Sequence, residues 1–296
     1  MKITSRALPI IICISLIVSI FASSGIFVMV QASGTTLTSS SVICVNNNAE
    51  LASLIATNDW KGSGAASDPY IIENLDINAT GKGDAIYIGN TTKYLTIEGC
   101  SLSDASSIAS FYGMGAGIAL YSVTNALLEN NTCSGNAIGI FLMYSSNNVI
   151  ENNTCNGIKV AENAVNGYGI SLASSGSNTV SNNNCSGSAI GISLHVSNSN
   201  TVSKNNCSGI GMGIWLDSSG SNTVSKNNCS GKNQEGIVMS GTNIDNYFFE
   251  NMGKISDERV PSPSSFGSTA LIVVAVLALA VLVAISALYR RKKDTP

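Results

Sequence analysis

One unit of 22 residues repeats three times without a gap between residues 169 and 231, and this period limits the possible folds more than any other feature. The rungs read GISLASSGSNTVSNNNCSGSAI, GISLHVSNSNTVSKNNCSGIGM and GIWLDSSGSNTVSKNNCSG, placing Cys185, Cys207 and Cys229 at one repeat position. Segments 174–187 and 218–231 differ only at Asn182 against Lys226. So short a unit cannot bury a core alone; it must stack on its neighbours, which makes a solenoid.

Within a rung apolar and polar residues alternate: Ile192 and Leu194 flank Ser193, and Ile214 and Leu216 flank Trp215. Period two bounded by Ser, Asn and Gly clusters reads as short strands, and the unit has no long run with helical period. Val180, Asn183 and Cys185 recur as Val202, Asn205 and Cys207 and as Val224, Asn227 and Cys229. The pattern predicts an all-β chain, a right-handed parallel β-helix whose strands stack about 4.8 Å apart. Ile, Leu, Val and Cys are expected to face inward. Asn131, Asn153, Asn183, Asn205 and Asn227 are expected to form a ladder at a turn, because Asn tolerates left-handed backbone and bonds main chain locally. Weaker copies run from Ile72 and Ile77 to Phe248 and Asn251, about eight coils in all. Extra residues at 103–115 and 159–167 are expected as loops; insertions on one side of a solenoid often form its binding face.

The ends have other compositions. Lys2 and Arg6 precede an apolar stretch, 7–30, that closes on Val30-Gln31-Ala32; residues 1–32 read as an export signal, with an uncleaved anchor as the alternative. Residues 33–60 form a cap region, in which Leu51, Leu54 and Ile55 at helical spacing predict a short helix over the open end of the stack. The β-helix domain spans 61–256 and a linker spans 257–269. Residues 270–288 are apolar except for Ser286 and long enough to span a bilayer, and the tail 289–296 carries Arg290, Arg291, Lys292 and Lys293. The expected protein is single-pass, with its β-helix outside and its basic tail in the cytoplasm. Nine basic side chains stand against 17 acidic ones between residues 33 and 265, a net charge of −8. That charge excludes nucleic acid as a partner and suits polyanionic sugars poorly.

The segment Trp60-Lys61-Gly62-Ser63-Gly64, continued by Asp68-Pro69-Tyr70-Ile71-Ile72-Glu73-Asn74, resembles the start of the β-helix in NosD-type proteins and related archaeal surface proteins. With the repeats, the resemblance covers roughly 60–255. It implies an exported β-helix and, for some members, copper delivery to nitrous-oxide reductase. The spacing itself carries no sign of copper. Asn-x-Ser/Thr acceptors at Asn78, Asn90, Asn130, Asn152, Asn184, Asn206 and Asn228 suit a surface glycoprotein. Asn78, Asn90, Asn130 and Asn152 are the glycosylation candidates, although the five from Asn130 onward also follow from repeat composition.

Three sets of residues invite chemistry. Cys133, Cys155, Cys185, Cys207 and Cys229 share one inward position; they read as buried thiols, with a disulfide or a thiolate column for Cu(I) as the sharper alternatives. His195, the only histidine, and Asp217 occupy the same outward position on adjacent coils, where a carboxylate can orient an imidazole for acid–base work. Tyr121, Phe141, Met143 and Trp215 are placed on the same face, as an exposed strip suited to stacking on sugar rings. An exposed set of Met143, Met212 and His195 would serve a copper-handling role, although no cofactor is predicted. Glu129 and Glu151 stack in one column, but no clustered Asp or nearby Arg of the polysaccharide-hydrolase type accompanies them. The reading is a binding or structural protein of the cell surface, leaning away from an enzyme. Its candidate partners are the membrane, surface polysaccharide or another surface protein. A polysaccharide-processing enzyme using His195 and Asp217 and a copper-handling accessory protein are the alternatives.

Overall fold

A computed structural model of the chain describes residues 37–106, 114–156, 167–207, 211–229 and 235–257. All belong to the unit that begins at Leu37. Short β-branched and apolar runs form strands as expected, and the strands assemble into three sheets. The nine-stranded sheet holds Ile43–Val45, Ile86–Gly89, Ala116–Tyr121, Ile138–Met143, Tyr168–Ala173, Ile190–His195, Met212–Asp217, Ile237–Ser240 and Ile255–Asp257 in that spatial order. The eight-stranded sheet holds Tyr70–Glu73, Leu95–Glu98, Ala126–Glu129, Val149–Glu151, Thr179–Ser181, Thr201–Ser203, Thr223–Ser225 and Tyr247–Phe249. A five-stranded sheet takes Thr38–Ser39, Leu75–Asn78, Ser101–Ser103, Thr132–Ser134 and Thr154–Asn156. Pairing is parallel throughout. Each coil after Tyr70 visits the eight- and the nine-stranded sheet in turn, and the first four also place a strand in the five-stranded sheet between them, which is a parallel β-helix of eight coils.

The core is a set of in-register columns. Ile97, Leu128, Ile150, Val180, Val202 and Val224 follow one another along the eight-stranded sheet, and all are fully buried. Ile140, Ile170, Ile192 and Ile214 do the same from the nine-stranded sheet. Burying each such side chain contributes roughly 1.5–3 kcal/mol. Cys133, Cys155, Cys185, Cys207 and Cys229 form the expected inward column, fully buried and free of disulfides. The room for each thiol comes from glycine one coil earlier: a Cβ on Gly191 would lie 2.8 Å from Cys207 Cβ and 2.6 Å from Gly213 O.

The turns correct one expectation. The ladder asparagines are present, but the left-handed residue is the one before each: Asn130, Asn152, Asn182, Lys204 and Lys226 have φ of 55–58°. The stacked Asn must aim its amide inward to satisfy buried main chain, so the turn itself falls to its neighbour. Asn205 shows the pattern. Its Oδ1 accepts from the N–H and Nδ2 of Asn183 at 2.9 and 3.0 Å, and its Nδ2 donates to Val180 O and Asn227 Oδ1 at 2.9 and 3.0 Å. A second ladder, Asn148, Asn178, Asn200, Asn222 and Asn246, is joined amide to amide at 3.1–3.2 Å. A third row uses hydroxyls: Ser175 and Ser197 donate their N–H groups to Ser197 Oγ and Ser219 Oγ.

Helix α1 (Asn48–Thr57) is the short helix expected from the spacing of Leu51, Leu54 and Ile55. Asn47 caps it by accepting from the N–H groups of Ala49 and Glu50, and Leu51 and Ile55 are buried in the main core. It packs beside Tyr70–Glu73, the terminal strand of the eight-stranded sheet. Among the described residues no helix is long and apolar enough to cross a membrane. The expected signal 1–32, the linker beyond Asp257, the spanning segment 270–288 and the tail 289–296 lie outside the described residues. So do 107–113 and 157–166, the greater part of both insertions.

Candidate functional site

The nine-stranded sheet sets the site. Strands Ile190–His195 and Met212–Asp217 pair with His195 opposite Asp217, and Asp217 opposite Ser240 on the next strand. His195 Nδ1 lies 2.7 Å from Asp217 Oδ2. An ionised carboxylate only accepts, so Nδ1–H donates and Nε2 is left to take a proton or a ligand hydrogen bond. The imidazole is 40% exposed and the carboxylate 21%. Ser240 Oγ donates to Asp217 Oδ1 at 3.1 Å, Ser218 Oγ does so at 3.3 Å, and Trp215 Nε1 donates to Ser240 Oγ at 2.9 Å. One hydrogen-bonded row thus runs from His195 through Asp217 and Ser240 to Trp215.

Burial alone would raise the Asp217 pKa, but the bond from His195 and its positive field, helped by Ser240 and Ser218, hold it below the ordinary carboxylate value. Gly241, at φ +70°, makes the approach possible: a Cβ there would lie 2.9 Å from Asp217 Oδ1. Val196, next to His195, sits at φ 49°, a left-handed conformation that β-branched residues rarely adopt. The equivalent residues Ser122, Tyr144, Ser174 and Ser218 are left-handed too, so the turn of the repeat imposes this conformation and valine is the residue least suited to it.

The structure gathers His195, Asp217 and Trp215 and separates the other candidates. Tyr121 and Met143 lie on the same column as His195 but three and two strands away. Tyr121 packs edge-on against Tyr144 with ring centres 5.6 Å apart. Phe141 is not exposed as expected; at 8% exposure it packs in a lateral apolar cluster with Tyr87, Ala116, Ala119 and Ile138. Met212, also expected exposed, is buried against Ile190 and Val238. Large side chains on neighbouring strands cover one another, so an outward position need not be an exposed one. Ser240 and Ser218 were not anticipated. The alignment of Gly236–Ser240 with Gly213–Asp217 carried the signal for Ser240, since both segments begin Gly-Ile.

The donors proposed for copper do not converge. Met143 stands two strands from His195, Met212 is buried, and among the described residues no group of three His, Cys, Asp or Glu side chains could hold a metal ion. The Cys133 thiol is pushed well up by its contact with Cys155 and by burial; that of Cys155 is lowered by Cys133 but raised further by Cys185 and burial; that of Cys207 is raised by burial above all, so thiolates are disfavoured there. The described residues therefore do not fit a copper ion. On the eight-stranded sheet the Glu129–Glu151 column extends to Glu98 and Glu73, with Lys61 Nζ 2.9 Å from Glu73. Burial, a bond to Glu98 and the charges of Glu98 and Glu151 raise the Glu129 pKa. Asn78, Asn90, Asn130 and Asn152 are exposed, while the amides of Asn206 and Asn228 bond to Asn184 and Asn206.

Stacked parallel strands with buried asparagine ladders and a polar row on one lateral face define a parallel β-helix protein. Residues 77–262 match the family described as periplasmic copper-binding protein (NosD), and the chain belongs to that family. Among solved structures it is similar to a periplasmic alginate epimerase, AlgG, with 15% identity and a TM-score of 0.46 over 62% of this chain and 50% of that one. It also resembles endopolygalacturonase I from Stereum purpureum (16% identity, TM-score 0.36, 65% and 69% covered). An alginate lyase from Paenibacillus sp. str. FPU-7 matches at 11% identity and TM-score 0.40, with 75% and 99% covered. The chain thus spans half the length of the epimerase. At such identities and scores these likenesses say nothing about activity. No curated protein sequence matches the chain.

Proposed function

We propose that this protein is a membrane-anchored, extracytoplasmic β-helix protein that recognises neutral polysaccharide at the cell surface. Residues 270–288 would hold it in the membrane, and Asn78, Asn90, Asn130 and Asn152 would carry glycan. The observation that carries the reading is the row His195–Asp217–Ser240–Trp215. It offers a nitrogen acceptor, carboxylate and hydroxyl oxygens and an indole beside one another, the mixture of directional polar groups and aromatic surface that holds a sugar. The excess of acidic side chains favours an uncharged ligand over a polyanion. The test is retention of the full-length, detergent-solubilised protein on a panel of immobilised neutral and acidic polysaccharides. Retention on a neutral polymer that Trp215→Ala and Asp217→Asn both weaken is expected. Retention indifferent to both substitutions would place recognition elsewhere and sink the assignment.

A second reading, a polysaccharide-processing enzyme, rests on the 2.7 Å contact itself. An imidazole oriented through Nδ1 presents Nε2 as a general base or acid. Soluble products that appear with the wild type and vanish with Asp217→Asn would put this reading first. Copper handling, which the family's description suggests, is disfavoured by the scattered donors. Stoichiometric copper kept by the reconstituted protein after dialysis would reverse that order.

A further inference from the structure

The two ends of the solenoid are treated differently. At the N-terminal end helix α1 lays Leu51 and Ile55 over the core. At the other end no described element follows Ile255–Asp257, and the core columns run out. Ile255 continues the column of buried Ile237 yet is exposed, and Met239 and Phe248, which continue those of Leu216 and Val224, are only partly buried. Five of the large exposed apolar side chains fall within this last coil: Ile244, Tyr247, Phe249, Met252 and Ile255, with Tyr247 70% exposed. The Tyr247 and Phe249 rings meet edge-on with centres 6.2 Å apart. A cavity of about 440 Å³ opens between Met239, Ile244 and Phe248. The charges nearby are mixed, Asp245, Glu250, Asp257 and Lys254, with Lys226 Nζ 3.6 Å from Glu250.

We propose that this end of the solenoid seats on the lipid surface, with Tyr247, Phe249, Ile244, Met252 and Ile255 as the contact. The inference rests on the membrane-anchor reading of residues 270–288. Only residues 258–269 separate the last strand from that apolar segment, a tether of at most about 40 Å when fully extended. The N-terminal end lies a further stack of coils away, about 4.8 Å for each. At its relaxed length of about 20 Å, roughly half the eight-coil stack, the tether favours the exposed apolar end over the helix-capped one beside the bilayer. Tyr and Phe with aliphatic neighbours are the side chains that settle at the headgroup level, where a ring is buried and a hydroxyl stays wet. With three acidic side chains against two lysines, the patch fits a zwitterionic surface better than an anionic one.

Full-length protein is reconstituted into phosphatidylcholine vesicles with and without bromine on the acyl chains, which quenches indole only at short range. Flotation after alkaline wash reads the anchor, and tryptophan emission reads the seating. Trp60 and Trp215 give the background. Expected are flotation and loss of most of the added emission in brominated vesicles for Tyr247→Trp and Phe249→Trp, with none for Tyr94→Trp at the far end. Flotation with unquenched emission from the first two variants would overturn the seating and leave the anchor standing. Failure to float would overturn both.

Discussion

The first four coils and the last four meet the same backbone demand in two ways. In coils one to four the narrow third face is a true strand, from Leu75–Asn78 to Thr154–Asn156, and its ladder is main chain to main chain. From Asn184 onward that face shrinks to single bridges at Asn184, Asn206 and Asn228. There the main chain still bonds from coil to coil, Cys185 N–H to Asn206 O and Cys207 N–H to Asn228 O, while the two asparagine ladders and the serine row, which begin in coil three, run on unbroken beside it. The difference teaches that the repeat conserves a hydrogen-bond account more strictly than it conserves a strand. The outer faces diverge more freely. On the eight-stranded sheet Glu73, Glu98, Glu129 and Glu151 give way to Ser181, Ser203 and Ser225. On the nine-stranded sheet an apolar cluster around Phe141 gives way to the polar row at His195.

The largest effect should come from the ladder itself. Asn205→Ala strips the acceptor from two donors of Asn183 and the donor from Val180 O and Asn227 Oδ1, at an expected cost of roughly 3–5 kcal/mol. Coil two carries Cys100 at this position, so Cys100→Ala should cost only about 1–2 kcal/mol. Urea midpoints measure both. Equal losses would show that the amide bonds of the ladder, which coil two lacks, do not set the stability of these turns.

Two carboxylates sharpen the comparison through pH. Asp84, in the first coil, has Oδ1 bonded to Ala116 N at 2.8 Å while Oδ2 is buried without a partner. Burial lifts its pKa from the ordinary 3.8 to about 6 against three backbone N–H bonds. A folded pKa above the unfolded one gives stability that is full below about 4 and lost as pH rises through about 6. Asp84→Asn should therefore flatten stability over that window and stabilise the protein at pH 7 by about 3 kcal/mol. Asp217 has the opposite sign. Its lowered pKa supplies stability at neutral pH that fades as pH falls below the ordinary carboxylate value, and Asp217→Asn should remove that acid-side loss. Thermal melts across the pH range read both slopes; parallel slopes for the two variants would contradict the assignment.

Gly117→Ala and Gly191→Ala probe what the halves share. Each added Cβ meets a column thiol or its Cβ at 2.8 Å and the next strand's carbonyl, so each should cost about 1–3 kcal/mol. A double substitution with Cys133→Ala, which removes the thiol 2.8 Å from the added methyl, should recover part of the Gly117→Ala loss, whereas Cys207→Ala keeps the Cβ that Gly191→Ala meets and should recover little. The smallest effect is expected at Val196. Val196→Gly relieves a left-handed valine and should stabilise the fold by roughly 0.5–1 kcal/mol. It should also weaken polysaccharide retention by loosening His195. Unchanged retention would make the strain incidental to the site.

Much of this was legible in the chain. Cys185, Cys207 and Cys229 at a constant period fixed the stack, and the same period put His195 beside Asp217 with no need of coordinates. Ser240 was hidden because the seventh coil is longer than the two before it and slides the count out of phase. The second ladder at Asn178, Asn200 and Asn222 was hidden because its residues sit among turn-forming Ser and Gly, where asparagine needs no special reason.

The sequence by itself determined the period, the inward columns of Val, Ile and Cys, and the pairing of His195 with Asp217, because a side chain's place in a stacked repeat depends only on its phase. Tertiary structure decided which outward positions reach solvent. Phe141 and Met212 share a sheet face with His195, yet large neighbours on adjacent strands bury them and leave the imidazole open. Alternation along one strand cannot express that, because burial on the outer face is settled between strands, by what stands on either side.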